Sequence, residues 1–136
     1  MTGRFPAGYY DCRFSWENGA PDWPAFAIVT AHNPMDRRWS GRMNRAADHR
    51  LRRLLERRLL AHVRVTCSSP DGSHAEPGWA VRSDRDTALA IARRYKQRAI
   101  WWIEHGDLHL VSCREHHSER VGVWNASFSP PPEDAS

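Results

Sequence analysis

The stretch AIVTAHNPMDRRWSGRMN, from Ala27 to Asn44, decides how the fold is read. It continues an apolar run over residues 25–30 whose β-branched side chains are typical of a buried strand. Pro34 ends this run, because the residue before a proline avoids the α region. Ser40 then has the residue type of a helix N-cap. The stretch therefore predicts a strand, a polar turn and the start of a helix.

Four more strands and a second helix are predicted downstream. From Met43 to about Leu60, apolar residues recur at helical spacing, which indicates one amphipathic helix. Ser83 and Asp86 have the spacing of a capping box, and the second helix is expected to end near Gln97. The strands are short apolar or alternating runs between turn residues, at positions 62–67, 79–81, 99–103 and 108–113.

The order of these elements predicts the fold class. The 136 residues suffice for one packed core, so a single α+β domain is expected. Strand, helix, strand, strand, helix, strand is the ferredoxin-like split β-α-β (β-α-β-β-α-β) pattern, here with one extra C-terminal strand and two helices on one face. Residues 1–24 are read as an N-terminal extension packing on the domain, 25–114 as the core domain and 115–136 as a C-terminal segment, partly disordered.

Composition and motifs exclude several classes of protein. No window reaches the roughly 18 apolar residues of a membrane span and no signal segment opens the chain, so we expect a cytoplasmic protein without membrane association. Three cysteines without a C-x-x-C motif favour reduced thiols. The motifs of nucleotide hydrolases, dinucleotide-binding proteins, zinc proteases and α/β-hydrolases are absent. No cofactor is predicted, and the oligomeric state is left open.

Polar residues from four parts of the chain are expected at one edge of the predicted sheet. In this topology the end of the first strand, the start of the first helix, the turn before the third strand and the end of the second helix all reach that edge. The predicted ligand-binding residues are Thr30, His32, Asn33, Asn44, Arg45, Glu76 and Gln97.

The chemistry of these residues suits ligand binding or acid–base catalysis, and it also suits a purely structural role. The amides of asparagine and glutamine both donate and accept hydrogen bonds, which suits a base, a sugar or an amide, and Arg45 has the fork that pairs with phosphate. Glu76 and His74 are the candidate catalytic pair for acid–base chemistry. However, amides at strand and helix ends commonly tie loops to the backbone, and Glu76 can simply pair with an arginine.

Arginine dominates the first predicted helix. Residues 42–64 hold eight arginines against only Asp48 and Glu56. Such a surface is the electrostatic footprint of a nucleic-acid partner, although a solvated helix face has the same composition.

Two further features have residue types that could form a site. Cys113, His116 and His117 have no matching ligand pair elsewhere, so no metal site is predicted. Trp101 and Trp102 are adjacent in a predicted strand and must face opposite sides of the sheet. One can lie under the helices. The other either stacks on a base or is covered by the N-terminal segment.

Short motifs along most of the chain resemble one family. They are Thr30-Ala31-His32-Asn33-Pro34, Asn44-Arg45, His74-Ala75-Glu76-Pro77 and Gln97-Arg98-Ala99-Ile100. This pattern resembles DUF3293, a family of uncharacterised bacterial proteins, over about residues 9–113. Such proteins often carry a serine after the second proline, where this chain has Gly78. The resemblance implies a residue set but no reaction.

Three functions therefore remain open. The first is a nucleotide- or nucleic-acid-binding module with a polar ligand site at the sheet edge. The second is a small enzyme that uses Glu76 on a polar or phosphorylated substrate, which predicts a concave pocket at that edge. The third is a protein-interaction or regulatory module with a protein partner, which predicts an exposed aromatic patch and no pocket.

Overall fold

The computed structural model describes residues 5, 9–33, 38–115 and 117–124. Neither helix within these residues has the length and apolar character needed to cross a membrane. The elements in chain order are β1 (Arg13–Trp16), β2 (Ala25–Val29), α1 (Gly41–Arg57), β3 (His62–Ser68), β4 (Ala75–Val81), α2 (Arg85–Arg94), β5 (Ala99–Glu104), β6 (Asp107–Ser112) and β7 (Ser118–Val123).

Seven strands of the described residues form one antiparallel sheet in the order β1-β3-β4-β2-β5-β6-β7. The predicted α+β class with two helices is confirmed. The sheet as a whole does not have the predicted ferredoxin-like order, because β1 adds to one edge and β7 extends the other beyond β6, the predicted extra strand. Strands β3, β4, β2 and β5, which flank the two helices in sequence, lie side by side within it.

Two strands were not predicted. Residues 13–16, in the predicted N-terminal extension, pair with β3 as strand β1. Residues 118–123, in the predicted C-terminal segment, pair with β6 as β7. The acidic, proline-rich tail, residues 129–136, lies outside the described residues.

Both helices begin at side-chain caps. Ser40 caps α1 as predicted, its Oγ accepting from the Met43 N–H at 3.1 Å. The predicted Ser83 cap of α2 is wrong: Asp84 is the N-cap, and its carboxylate accepts from the Thr87 N–H at 2.6 Å. A carboxylate is favoured there because the helix N-terminus carries partial positive charge.

Strand β4 is longer than the predicted 79–81 and begins at Ala75. In the sequence, HAEPG (residues 74–78) precedes the predicted strand and has the composition of a turn, and a proline such as Pro77 is uncommon inside a strand. The proline is tolerated because pairing with β2 stops at the Val29–Trp79 pair, so beyond that point β4 is hydrogen-bonded only to β3. This extension carries Glu76 into the sheet.

The two faces of the sheet bury different side chains. Both helices pack on one face, here called the helix face, which includes Val29, Leu51 and Trp102. The opposite face, here called the aromatic face, includes Phe14, Phe26 and Trp101. Trp101 and Trp102 thus face opposite sides, as predicted.

The sheet curls around the aromatic face. Trp124, just after β7, has its ring 5.5 Å from Phe14 and 6.0 Å from Trp16, both on β1. The Tyr10 hydroxyl also donates to Glu119 Oε2 at 2.7 Å. Because β1 and β7 are the opposite edge strands, these contacts bring the two edges of the sheet together over the aromatic core.

Candidate functional site

A pocket of about 320 Å³ opens at one end of the aromatic face. Its apolar wall includes Tyr9 and Trp101, whose ring centroids are 5.7 Å apart. The polar residues that line it are Thr30, His32, Asn33, Arg38, Ser68, Ser69, His74, Glu76 and Gln97. Trp101 is buried beneath Tyr9 and Phe14, so the N-terminal segment covers it. The pocket therefore joins an aromatic wall to the predicted polar edge.

Strand alternation explains why these residues meet. Successive side chains of a strand point to opposite faces, so Gln97 and Ala99 share the face of Trp101. Cys67 on β3 lies directly opposite Glu76 on β4. The curl then brings Tyr9, before β1, over the same end of the sheet.

Asn33 is the centre of a hydrogen-bond network at this edge. Its backbone has φ 48°, a left-handed conformation that asparagine tolerates better than most residues. Its Oδ1 accepts from Trp39 N at 2.9 Å and from Asn44 Nδ2 at 3.0 Å. Its Nδ2 donates to Glu76 Oε2 at 3.0 Å. Asn33 thus orients the carboxylate of Glu76 in the pocket.

Asn44 and Arg45 are not among the residues that line the pocket. Asn44 is buried, with Oδ1 accepting from the backbone N–H of Asn33 at 2.9 Å, and its Nδ2 donates within the same network. Its amide therefore stabilises the corner between β2 and α1. Arg45 is exposed, and its guanidinium lies over Gly41 in the first turn of α1.

The side chains of Gln97 and Thr30 form hydrogen bonds with backbone groups. Gln97 Nε2 donates to the carbonyls of His32 and Tyr95, at 3.1 and 3.2 Å. Within the described part of the chain nothing donates to its Oε1, which remains available to a ligand. Thr30 Oγ1 donates to the Pro77 carbonyl at 3.0 Å and accepts from the His32 N–H at 3.1 Å.

His32 presents a neutral imidazole at the pocket. Partial burial lowers the pKa of His32 below its usual value, the carboxylate of Asp48 raises it and the guanidinium of Arg64 lowers it. Arg64 and Asp48 are themselves paired at 2.7 Å, so their charges largely offset each other. Burial therefore determines that the pKa of His32 is lowered. At neutral pH the uncharged ring can donate a hydrogen bond through one nitrogen and accept one through the other.

The turn between β3 and β4 is organised around Asp71. Its Oδ1 accepts from Ser69 Oγ at 2.7 Å, Ser73 Oγ at 2.7 Å and Ser73 N at 3.0 Å. These hydrogen bonds, led by that from the Ser73 backbone, lower the pKa of Asp71 to about 2. Ser69 Oγ also accepts from the His74 N–H at 3.1 Å, so this turn places both Ser69 and His74 at the pocket.

The sequence analysis did not predict several of the residues that line the pocket. Arg38, Cys12 and Cys67 all line the pocket, yet none belongs to the predicted edge. Arg38 follows the turn that the sequence predicts at Asn33-Pro34, and that position is the signal that could have found it. Cys12 comes close because β1 pairs with β3, and no local pattern in the sequence reports this long-range pairing.

Possible metal ligands do not cluster within the described ranges. No three of the histidine, cysteine, aspartate and glutamate side chains there lie together as a set of metal ligands. His116, considered above with Cys113, falls outside those ranges. Burial raises the pKa of Cys113 to about 11, so its thiol stays protonated at neutral pH.

Comparison with known protein families gives a match over the middle of the chain. Residues 29–100, slightly more than half of the 136, match the model of a family described as "Protein of unknown function (DUF3293)". The chain belongs to this family. No curated protein and no solved structure matches it significantly.

The DUF3293 match covers only part of the pocket. It includes the polar edge from Thr30 through Glu76 to Gln97. Tyr9, Cys12 and Trp101, which supply the aromatic wall and one thiol, lie outside the matched residues. The chemistry of the site is therefore argued from its own side chains.

Proposed function

We propose that the pocket binds a small ligand with a planar ring and an anionic group, a mononucleotide being the chemical class. The observation that carries this proposal is that Tyr9 and Trp101 line the same pocket as Glu76, Gln97 and Arg38. Ligand pockets span about 300 to 1,000 Å³, so this one suits a single small molecule.

Each part of such a ligand has a matching group. Aromatic side chains stack on the face of a base and contribute about 1–3 kcal/mol per base. Glu76 accepts from an amino group or a sugar hydroxyl, and Gln97 Oε1 accepts in the same way. The guanidinium of Arg38 forms charge-assisted hydrogen bonds with phosphate.

A second candidate is nucleic-acid binding along α1. Five arginines on this helix are exposed and have no ion pair within the described residues: Arg42, Arg45, Arg50, Arg53 and Arg57. A 17-residue helix is about 25 Å long, enough to follow several phosphates. None of these arginines lines the pocket, so the two candidates use different surfaces.

The remaining alternatives have weaker support. Glu76 and His74 both line the pocket, which keeps acid–base catalysis on a polar or phosphorylated substrate as an alternative. A protein-interaction module would expose an aromatic patch. The large hydrophobic side chains exposed in the described ranges are Met43, Leu59 and Val123, none of them aromatic.

A cytoplasmic location of the protein is also part of the proposal.

Calorimetric titration with the four ribonucleoside monophosphates, inorganic phosphate and a short single-stranded RNA tests the proposal. A monophosphate should bind saturably, and Arg38→Ala should weaken it about tenfold to hundredfold, because a charge-assisted hydrogen bond contributes about 1.5–3 kcal/mol. Arg45→Ala is the matched control and should leave this binding unchanged.

The same titrations separate the alternatives. RNA binding that falls steeply with salt and is weakened by Arg45→Ala rather than Arg38→Ala would favour the α1 surface. If no monophosphate binds at low salt, the pocket proposal is wrong.

A further inference from the structure

Two cysteines line the pocket, Cys67 on β3 and Cys12 immediately before β1. Cys67 lies on β3 opposite Phe14 of β1, and Cys12 is two residues before Phe14. Alternation along an extended chain therefore directs the Cys12 and Cys67 side chains to the same face, one diagonal step apart. Both pack on the aromatic face, and both thiols are free.

The two thiols have different environments. Cys67 is buried and Cys12 is partly exposed. Burial, a hydrogen bond between the two thiols and the charges of Cys12 and Glu76 raise the pKa of Cys67 well above its usual value. Cys67 therefore stays a thiol, whereas Cys12 is the sulfur that a solute entering the pocket reaches first.

We propose that Cys12 and Cys67 are an oxidation site at which a hydroperoxide joins the two sulfurs in a disulfide, and that this bond lowers ligand affinity. The effect on ligand affinity rests on the proposed function of the pocket. Cys113 is no competitor, since it is buried on the helix face.

The reaction balances with one hydroperoxide. The Cys12 sulfur, as its thiolate, attacks one oxygen of hydrogen peroxide, so that an S–O bond forms as the O–O bond breaks. The released hydroxide takes the proton that the thiol gave up and becomes water. The Cys67 sulfur then attacks the Cys12 sulfenic acid, the S–O bond breaks, and the Cys67 proton leaves with the hydroxyl as a second water. The thiols lose two electrons and the peroxide gains them.

The bond would alter the pocket wall. Diagonal neighbours on paired strands lie farther apart than a disulfide allows, so the start of β1 must move toward β3. Because Cys67 is directly opposite Glu76, this movement places the linked sulfurs beside the carboxylate that the ligand is proposed to contact. We therefore expect the oxidised protein to bind ligand more weakly.

Peptide mapping under non-reducing conditions tests the bond. The cysteines fall on separate tryptic peptides, residues 5–13, 65–82 and 99–114. After mild hydrogen peroxide and alkylation, the wild type and Cys113→Ala should give the 5–13/65–82 cross-linked peptide, reversibly with dithiothreitol. Cys12→Ala and Cys67→Ala should not. Absence of this peptide from the folded, oxidised wild type overturns the proposal.

Titration with the monophosphates tests the effect on the pocket separately. Reduced wild type should bind, oxidised wild type should bind at least tenfold more weakly, and peroxide-treated Cys12→Ala should bind like its reduced form. If reduced and cross-linked wild type bind the monophosphate with equal affinity, the proposal that the disulfide weakens ligand binding is overturned. If the reduced protein binds no monophosphate, the proposed function fails, and the cross-link alone decides whether the oxidation site exists.

Discussion

Asn33 and Asn44 are joined by two hydrogen bonds across the corner between β2 and α1. Asn44 Oδ1 accepts from the Asn33 backbone N–H at 2.9 Å, and Asn44 Nδ2 donates to Asn33 Oδ1 at 3.0 Å. The remaining donor group of the Asn33 side chain is thereby directed to Glu76. A buried amide outside the pocket thus positions a carboxylate inside it.

Asn44→Ala should destabilise the protein. The substitution leaves the Asn33 N–H without a partner and leaves Asn33 Oδ1 with the Trp39 N–H as its remaining donor, at a cost of about 1–3 kcal/mol. Urea unfolding followed by tryptophan fluorescence measures the change. Arg45→Ala, at the exposed neighbouring position, should stay within about 0.5 kcal/mol of wild type. Equal stabilities of the two variants would contradict a structural role for Asn44.

Gly78→Ser should also be destabilising. A Cβ at this position would lie 2.7 Å from the Val29 carbonyl oxygen and 3.4 Å from Thr30 Cβ, so β2 and β4 would have to separate. We expect a loss of about 1–3 kcal/mol. Gly122→Ala is the control, because a Cβ there meets nothing within 4 Å. A Gly78→Ser protein as stable as the wild type would mean that this close approach can relax.

The stability of the protein should fall on mild acidification because of His32. Its pKa in the folded state is lowered by burial, so just below the usual value of about 6.5 the unfolded chain binds more protons than the folded chain. Stability therefore rises with pH through that window and is unaffected by this group well above it. Thermal unfolding between about pH 5 and pH 7.5 measures the slope.

His32→Gln should flatten this dependence, and His49→Gln, at an exposed position on α1, should not. An unchanged slope in His32→Gln would assign the effect to other groups.

The sequence predicts what is encoded locally. The Asn33-Pro34 turn and the Ser40 cap, together with the apolar repeat of α1, define one corner and hence much of the polar edge. Strand β1 has only four residues, and its place beside β3 depends on partners about fifty residues away. That pairing brings Cys12 to the pocket, and the curl that brings Tyr9 there depends on both sheet edges, so neither residue is marked by its neighbours in sequence.

The Asp71 turn offers the last test, because it links a measurable pKa to the pocket. Carboxyl NMR titration should give an Asp71 pKa of about 2, since three hydrogen bonds stabilise its charged form. The stabilisation is present above the usual carboxyl pKa and is lost as pH falls through about 2. Ser73→Ala removes one donor and should raise the measured pKa toward its usual value. Asp71→Ala should release Ser69 and His74 and weaken ligand binding, whereas Asp11→Ala, an exposed control, should not. An ordinary Asp71 pKa in the wild type would show that the turn is open in solution.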